Sequence, residues 1–157
     1  IYPINNLEIS KLEMKEDKSS TPVTFENMQL SASEYSSVNN GKLYFSINSV
    51  DRVPNPPRMV RNRLNPVEIN RGYTEEDEIT YTIPKGYHLD SDALNLSINK
   101  PFGYFTATMT LTGDKLIYKR KFQLKDGIYA KDIYPDLVDF YQLARDADEY
   151  NVVLAKN

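Results

Sequence analysis

The run from Phe105 to Thr112 constrains the fold more than any other stretch. Phe105, Ala107, Met109 and Leu111 alternate with Thr106, Thr108, Thr110 and Thr112. A repeat of two is that of extended chain with one face buried and the other wet. Gly113-Asp114 follows, a pair that accepts the positive φ of a two-residue turn. Leu116, Tyr118, Phe122 and Leu124 then mark the inward row of a return strand. The segment therefore reads as a β-hairpin with a threonine-lined outer face.

Other segments repeat the pattern. Ile79, Tyr81 and Ile83 oppose Glu78, Thr80 and Thr82, and Leu94, Leu96 and Ile98 form a further row. Asn40-Gly41 suits a type I′ turn between a strand ending near Val38 and one carrying Leu43, Phe45 and Ile47. Val23 and Phe25, then Met28 and Leu30, suggest one long strand with an irregularity between the pairs. Leu7 to Glu16 is a weaker strand signal. The period changes at Ile133, Leu137, Phe140, Tyr141 and Ala144, which recur at helical spacing. Pro135 fits only a first helical turn, so the helix is expected over about 132–149. Val152, Val153 and Leu154 suggest a short final strand. The expected fold is mainly β: an antiparallel β-sandwich, immunoglobulin-like or similar, of seven to nine strands with one C-terminal α-helix.

Residues 51–66 differ from the rest. Pro54, Pro56, Pro57 and Pro66 remove ladder donors and fix φ, so an extended proline- and arginine-rich loop is expected there. It is not read as a linker, because the patterns on either side are alike and each half is short for a core of its own. The whole of 1–157 is read as one β-rich domain. The chain begins at Ile1, which suggests a processed fragment of a longer multidomain protein.

Composition narrows the chemistry. The chain has 157 residues, a formal net charge of −3 and 40% apolar residues, the profile of a globular protein. The mild acidic excess gives nucleic acid no basic surface to neutralise, so no nucleic-acid partner is expected. No stretch approaches a membrane-spanning helix. With no cysteine, disulfides, thiolate metal sites and cysteine nucleophiles are excluded. His88 is the only histidine, and nothing resembles a nucleophile elbow beside which it could serve as base. Its plain reading is a loop residue. One histidine also leaves carboxylates to supply every other ligand of a zinc ion. No metal or other cofactor is expected.

Three features remain. The acidic run Glu75, Glu76, Asp77 and Glu78 lacks the ligand spacing and turn glycine of a calcium loop and reads as a solvated strand entrance. Asp77 nevertheless shares the parity of Ile79 and Tyr81, and Arg120 that of Tyr118 and Phe122. A buried charge requires a partner, so a partly buried structural ion pair between Arg120 and Asp77, or a nearby carboxylate, is expected. The arginines from Arg52 to Arg71, with Arg58, Arg61 and Arg63 foremost, are candidates for binding an anion or a neighbouring domain, against the plain alternative of a solvated loop. Tyr73, Tyr87, Tyr104 and Tyr129 lie nearer loops than Tyr44, Tyr81 and Tyr118. The first three are candidate contacts for a glycan or peptide, although the absence of tryptophan weakens the sugar reading.

Several short motifs occur in a telling order. Asn65-Pro66-Val67-Glu68-Ile69 precedes Tyr73-Thr74-Glu75-Glu76-Asp77-Glu78-Ile79-Thr80-Tyr81 and Ile83-Pro84-Lys85-Gly86-Tyr87. Phe102-Gly103-Tyr104, Tyr118-Lys119-Arg120, Leu124-Lys125-Asp126-Gly127 and Tyr134-Pro135-Asp136-Leu137-Val138-Asp139-Phe140-Tyr141 follow. From about Leu43 to Leu154 the chain resembles the C-terminal domain of bacterial multidomain transglutaminase-like proteins, a domain with no assigned function. The resemblance implies an upstream β-rich domain, a transglutaminase-like domain with a Cys–His–Asp triad, and a periplasmic or cell-envelope location. It transfers no catalytic residue to a chain without cysteine. The expected role is a non-catalytic accessory module that docks on or positions the upstream domain, with a glycan- or peptide-binding module as the alternative and a hydrolase last.

Overall fold

The computed structural model describes residues 4–157. In chain order its elements are β1 (Leu7–Asp17), β2 (Val23–Ala32), β3 (Ser37–Asn39), β4 (Lys42–Ser46), β5 (Val67–Ile69) and β6 (Tyr73–Thr82). Then come β7 (Tyr87–Leu89), β8 (Asn95–Lys100), β9 (Gly103–Thr112), β10 (Lys115–Leu124) and β11 (Gly127–Tyr129). A 3₁₀ turn (Lys131–Ile133), helix α1 (Tyr134–Asp148) and β12 (Asn151–Lys156) complete the chain. Among the described residues, twelve strands replace the expected seven to nine. The surplus lies in β5, β7 and β11, each three residues long and too short to show alternation; the equally short β3 was expected as the strand ending near Val38.

All strand pairs are antiparallel. One four-stranded sheet runs β6-β10-β9-β8 and another β3-β4-β12-β7, with the pairs β1-β2 and β11-β5 beside them. The arrangement agrees with a β-sandwich carrying one C-terminal helix. Phe105, Ala107, Met109, Leu116, Tyr118 and Phe122 of the first sheet share a core with Phe45, Val152 and Leu154 of the second. Rings bridge the layers: Tyr35 and Tyr81 each pack on Phe45, with centroids 5.9 and 5.0 Å away. Phe140 of α1 meets Phe122 at 5.4 Å and Phe102 edge-on at 5.5 Å. Gly103 is required at that junction, since a Cβ there would stand 2.7 Å from the Gln123 carbonyl oxygen. Hydrophobic burial of these rows is the main favourable term in folding.

The β9–β10 hairpin turns at Gly113, whose φ is +61°. Leu111 departs from its expected inward place and is exposed. β8 starts at Asn95, opposite Thr108, so no β8 residue flanks Leu111. The Asn40-Gly41 turn has φ of +49° and +77°, as a type I′ turn requires. Helix α1 carries its proline in the first turn and buries Leu137, Phe140, Ala144 and Ala147.

The expected irregularity lies in the other strand of its hairpin. β2 is continuous, and the register shifts in β1, where Ile9 opposes Leu30 and Lys11 opposes Gln29. Ser10 is therefore the extra residue of a bulge. The bulge keeps Leu7 and Ile9 on the face of Leu12 and Met14, with Met28, Leu30 and Ala32 opposite them. Val23 and Phe25 lie on the other face, so their offset from Met28 and Leu30 is a change of face within one strand.

Candidate ionic hub and surface sites

Arg120 stands mid-strand in β10, opposite Asp77 of β6 and Ala107 of β9. Its position in the inward row between Tyr118 and Phe122 places its side chain among apolar neighbours, and that side chain is 0% exposed. Nη1 donates to Asp77 Oδ2 at 3.1 Å and to the Asp51 carbonyl oxygen at 3.2 Å. Nη2 donates to Glu75 Oε2 at 3.0 Å. Nε lies 3.4 Å from Asp148 Oδ1 without hydrogen-bonding geometry. Glu75 and Asp77, two apart on β6, share the face from which both reach one guanidinium.

Asp148, the last residue of α1, is the second centre of the hub. It is fully buried. It accepts hydrogen bonds from Tyr118 Oη at 2.8 Å, the Val53 amide at 2.8 Å and Asn48 Nδ2 at 3.2 Å. Asn48 Oδ1 in turn accepts the Val50 and Asp51 amides at 3.2 and 3.1 Å, and its Nδ2 also donates to the Asp51 carbonyl oxygen. Two side chains thus tie the sheet, the 48–53 loop and the helix end together. Burial in this setting demands such satisfaction, because each unpaired polar group would cost about 1–3 kcal/mol.

The electrostatics follow from one cation among several acids. Burial pushes the Asp77 carboxyl up to about 6; Arg120 opposes the shift, and the charges of Asp51, Glu75 and Asp148 add to it. Burial likewise raises Glu75, reinforced by Asp51 and countered by Arg120. For Arg120, burial opposes the charged form, but Asp148, Asp77 and Asp51 together outweigh it and hold the guanidinium more firmly protonated. One guanidinium shared by several carboxylates gains from all of them, whereas each carboxylate receives only a share. Burial also raises the Tyr118 hydroxyl, with Asp148 adding to the effect.

The other residues singled out from sequence scatter. Arg58 and Arg61 are exposed in the 51–66 loop, where the Arg58 carbonyl oxygen accepts the Tyr134 hydroxyl at 2.8 Å. Arg63 is half-buried: its guanidinium lies 4.5 Å from the Tyr134 ring centre and donates to the Asn65 and Pro66 carbonyl oxygens at 2.9 and 3.1 Å. That cation–π contact and those bonds fasten the loop to the start of α1. Arg52 is drawn elsewhere, to Glu149 at 3.8 Å. Tyr73, Tyr87 and Tyr104 each sit at or near the start of a strand, β6, β7 and β9 respectively. No two of their rings are in contact among the described residues; Tyr73 packs instead on Phe122 at 5.8 Å. The His88 ring Nδ1 lies 2.8 Å from Asn157 Oδ1. Among the described residues, no group of three or more histidine, aspartate or glutamate side chains is arranged to hold a metal ion, and no helix is long and apolar enough to cross a membrane.

Parity points to Arg120 and Asp77, and equally to Glu75 two residues before Asp77, but not to Asp148, Asp51 or Asn48. One signal was present for Asp148: it lies four residues beyond Ala144, on the extension of the helix's apolar stripe.

The fold and hub together define an antiparallel β-rich domain closed by a C-terminal helix. Residues 41–154 match the model of a domain of unknown function with a solved structure, DUF3858, and the chain belongs to that family. The matched segment starts at the turn into β4 and ends in β12, leaving the β1–β2 hairpin before it. A solved chain from Parabacteroides distasonis ATCC 8503, described as a "putative protease", shares the fold with a TM-score of 0.58 and 19% identity. The match covers 73% of this chain and 23% of that one, so the matched part spans about a quarter of that chain's length. The curated proteins contain no match.

Proposed function

We propose that this domain is a non-catalytic accessory module of a larger transglutaminase-like protein of the cell envelope, where it docks on or positions the upstream catalytic domain. The observation that carries the reading is the hub itself. The most concentrated set of ionisable groups, Arg120 with Glu75, Asp77 and Asp148, is consumed in joining sheet, loop and helix. A catalytic carboxylate needs a face turned toward substrate, and Asp148 is fully buried. The length of the Parabacteroides distasonis chain supports a multidomain setting.

The purified chain is expected to show no turnover of casein, of p-nitrophenyl esters or of glutamine–amine acyl transfer. Hydrolysis or acyl transfer abolished by His88→Ala would sink the proposal. The full-length parent, assayed with and without residues 1–157, should lose substrate affinity or thermal stability when they are removed. Cell fractionation of the parent should recover it in the envelope.

A further inference from the structure

The loop between β4 and β5 presents side chains that the body of the domain does not use. Residues 52–67 carry four arginines and no aspartate or glutamate, in a chain whose net charge is −3. Pro54, Pro56, Pro57 and Pro66 fix φ at four places along it. Among the described residues no backbone–backbone hydrogen bond ties 54–66 to another element. One side chain grips the loop instead. Tyr134, the buried first residue of α1, donates its hydroxyl to the Arg58 carbonyl oxygen at 2.8 Å, and its ring centre lies 4.5 Å from the Arg63 guanidinium. Arg63 in turn donates to the Asn65 and Pro66 carbonyl oxygens. Both feet of a short projection, Arg58 and Arg63, are thus held on one tyrosine, and Asn62, with φ of +58°, turns the chain between them.

What the projection shows to solvent is apolar and cationic. Met59 is 48% exposed, Val60 46% and Leu64 85%, the highest value for a large apolar side chain among the described residues. Apolar side chains scattered singly over a surface need no account, but a group of them on one pinned loop does. Arg58 and Arg61 beside them are exposed as well. The arginine ion pairs among the described residues are those of Arg52, Arg120 and Arg145, so neither Arg58 nor Arg61 has a counter-charge there.

This chemistry selects the occupant. Two arginines without counter-charges complement an anionic surface. The loop is aliphatic at its tip, with no aromatic residue anywhere in 51–66, unlike the tyrosine- and tryptophan-rich centres of protein interfaces. It suits the headgroup region of a bilayer, where apolar side chains enter the acyl boundary and arginine stems reach back to phosphate. The rest of the chain is more acidic than the whole, so an anionic membrane would repel it and leave the loop as the point of approach. We infer that the 58–64 loop is a contact site for an anionic lipid bilayer, with Met59, Val60 and Leu64 entering between the headgroups and the Arg58 and Arg61 guanidiniums paired with lipid phosphates. The inference goes beyond the accessory reading and does not depend on it.

The test is flotation of the intact chain with vesicles of phosphatidylglycerol and phosphatidylcholine in equal parts, and with vesicles of phosphatidylcholine alone. Partition should be at least about ten-fold higher on the anionic vesicles and should fall as salt rises. Arg58→Gln and Arg61→Gln should each lower it about five-fold. Leu64→Ser should lower it about three-fold and leave the salt dependence in place. The thermal midpoint should hold in all three. Because the chain has no tryptophan, Leu64→Trp supplies a single fluorophore at the tip. Its emission should move to shorter wavelength with anionic vesicles and stay unmoved with neutral ones; this readout keeps both arginines and serves alone if a glutamine variant does not fold. Equal partition onto both vesicles, no partition onto either, or a bound Leu64→Trp chain with unmoved emission would overturn the inference. So would tight binding of a polyglutamate peptide by a chain that ignores anionic vesicles, which would assign the loop to an acidic protein face. A lipid-free dimer abolished by Leu64→Ser would assign it to a second copy and overturn it equally. Failure to bind vesicles in a chain without turnover leaves the accessory reading standing; turnover removes that reading whatever the loop does.

Discussion

Arg120 occupies a place in the core where an apolar residue would ordinarily sit, and its cost is met by acids drawn from three separate elements. Removing one side of such a set is worse than never having it, because the remaining charge stays buried. Asp148→Ala is therefore expected to destabilise the fold by about 3–5 kcal/mol, read from the urea midpoint at constant slope. Asp77 makes a pH-dependent contribution. Its folded-state carboxyl titrates at about 6, above its ordinary 3.8, so the folded chain holds this proton more tightly than the unfolded one. Its stabilising contribution is complete below pH 4 and is lost as pH rises through 6. Against Asp77→Asn, the wild type should thus lose up to about 3 kcal/mol of relative stability between pH 4 and pH 7. Denaturant titrations of both proteins across that range check it; a wild-type advantage that grows with pH would refute the assignment. Arg120 and Asp77 were legible in the sequence because both lie in strongly alternating strands, where parity fixes the face. Asp51 and Asn48 were not, since they reach the hub from a loop whose path depends on what it packs against.

At the level of elements, legibility tracks length and contrast. β9 and β10 announce themselves through ten-residue alternations and a glycine turn. β5, β7 and β11 carry three residues each, and only tertiary pairing makes them strands, whereas the equally short β3 is announced by the Asn40-Gly41 turn that follows it. The Ser10 bulge shows how the pattern can mislead: one extra residue in β1 resets the parity that sequence alone would follow. Pairing partners are harder still: nothing in the pattern of β6 shows that β10, and not a strand nearer in sequence, is its neighbour. The β1–β2 pair is the element least supported by the core, with Ile9, Leu12, Met14 and Phe25 exposed. A two-stranded hairpin is marginal by itself. Its amides are expected to exchange with deuterium at least about ten-fold faster than those of β9 and β10, measured at peptide resolution by mass spectrometry. Equal protection would mean that the hairpin belongs to the same cooperative unit as the main sheet.

For the molecule as a whole, the boundary of the family match coincides with this difference in support. Residues 41–154 carry both four-stranded sheets, apart from the short β3 and the end of β12, together with α1. Tyr35 nevertheless joins the body, since its hydroxyl donates to the Ser46 carbonyl oxygen at 2.7 Å and its ring meets Phe45. Deletion of residues 1–33 should therefore retain one cooperative thermal transition, displaced downward by less than about 8 °C. Calorimetry decides between that result and a broad or absent transition.

The position of Asp148 has a consequence for biosynthesis. The carboxylate that faces the Arg120 side arm, and the strand β12 that joins β4 to β7, are both encoded after residue 147. A ribosome that has delivered everything before that point has made one sheet lacking a middle strand and a guanidinium lacking its innermost counter-charge. Translation intermediates of this domain must wait in an open state, exposed to chaperones and proteases, until its last two elements emerge. Messages cut short anywhere upstream of α1 therefore yield products that cellular quality control can recognise and clear.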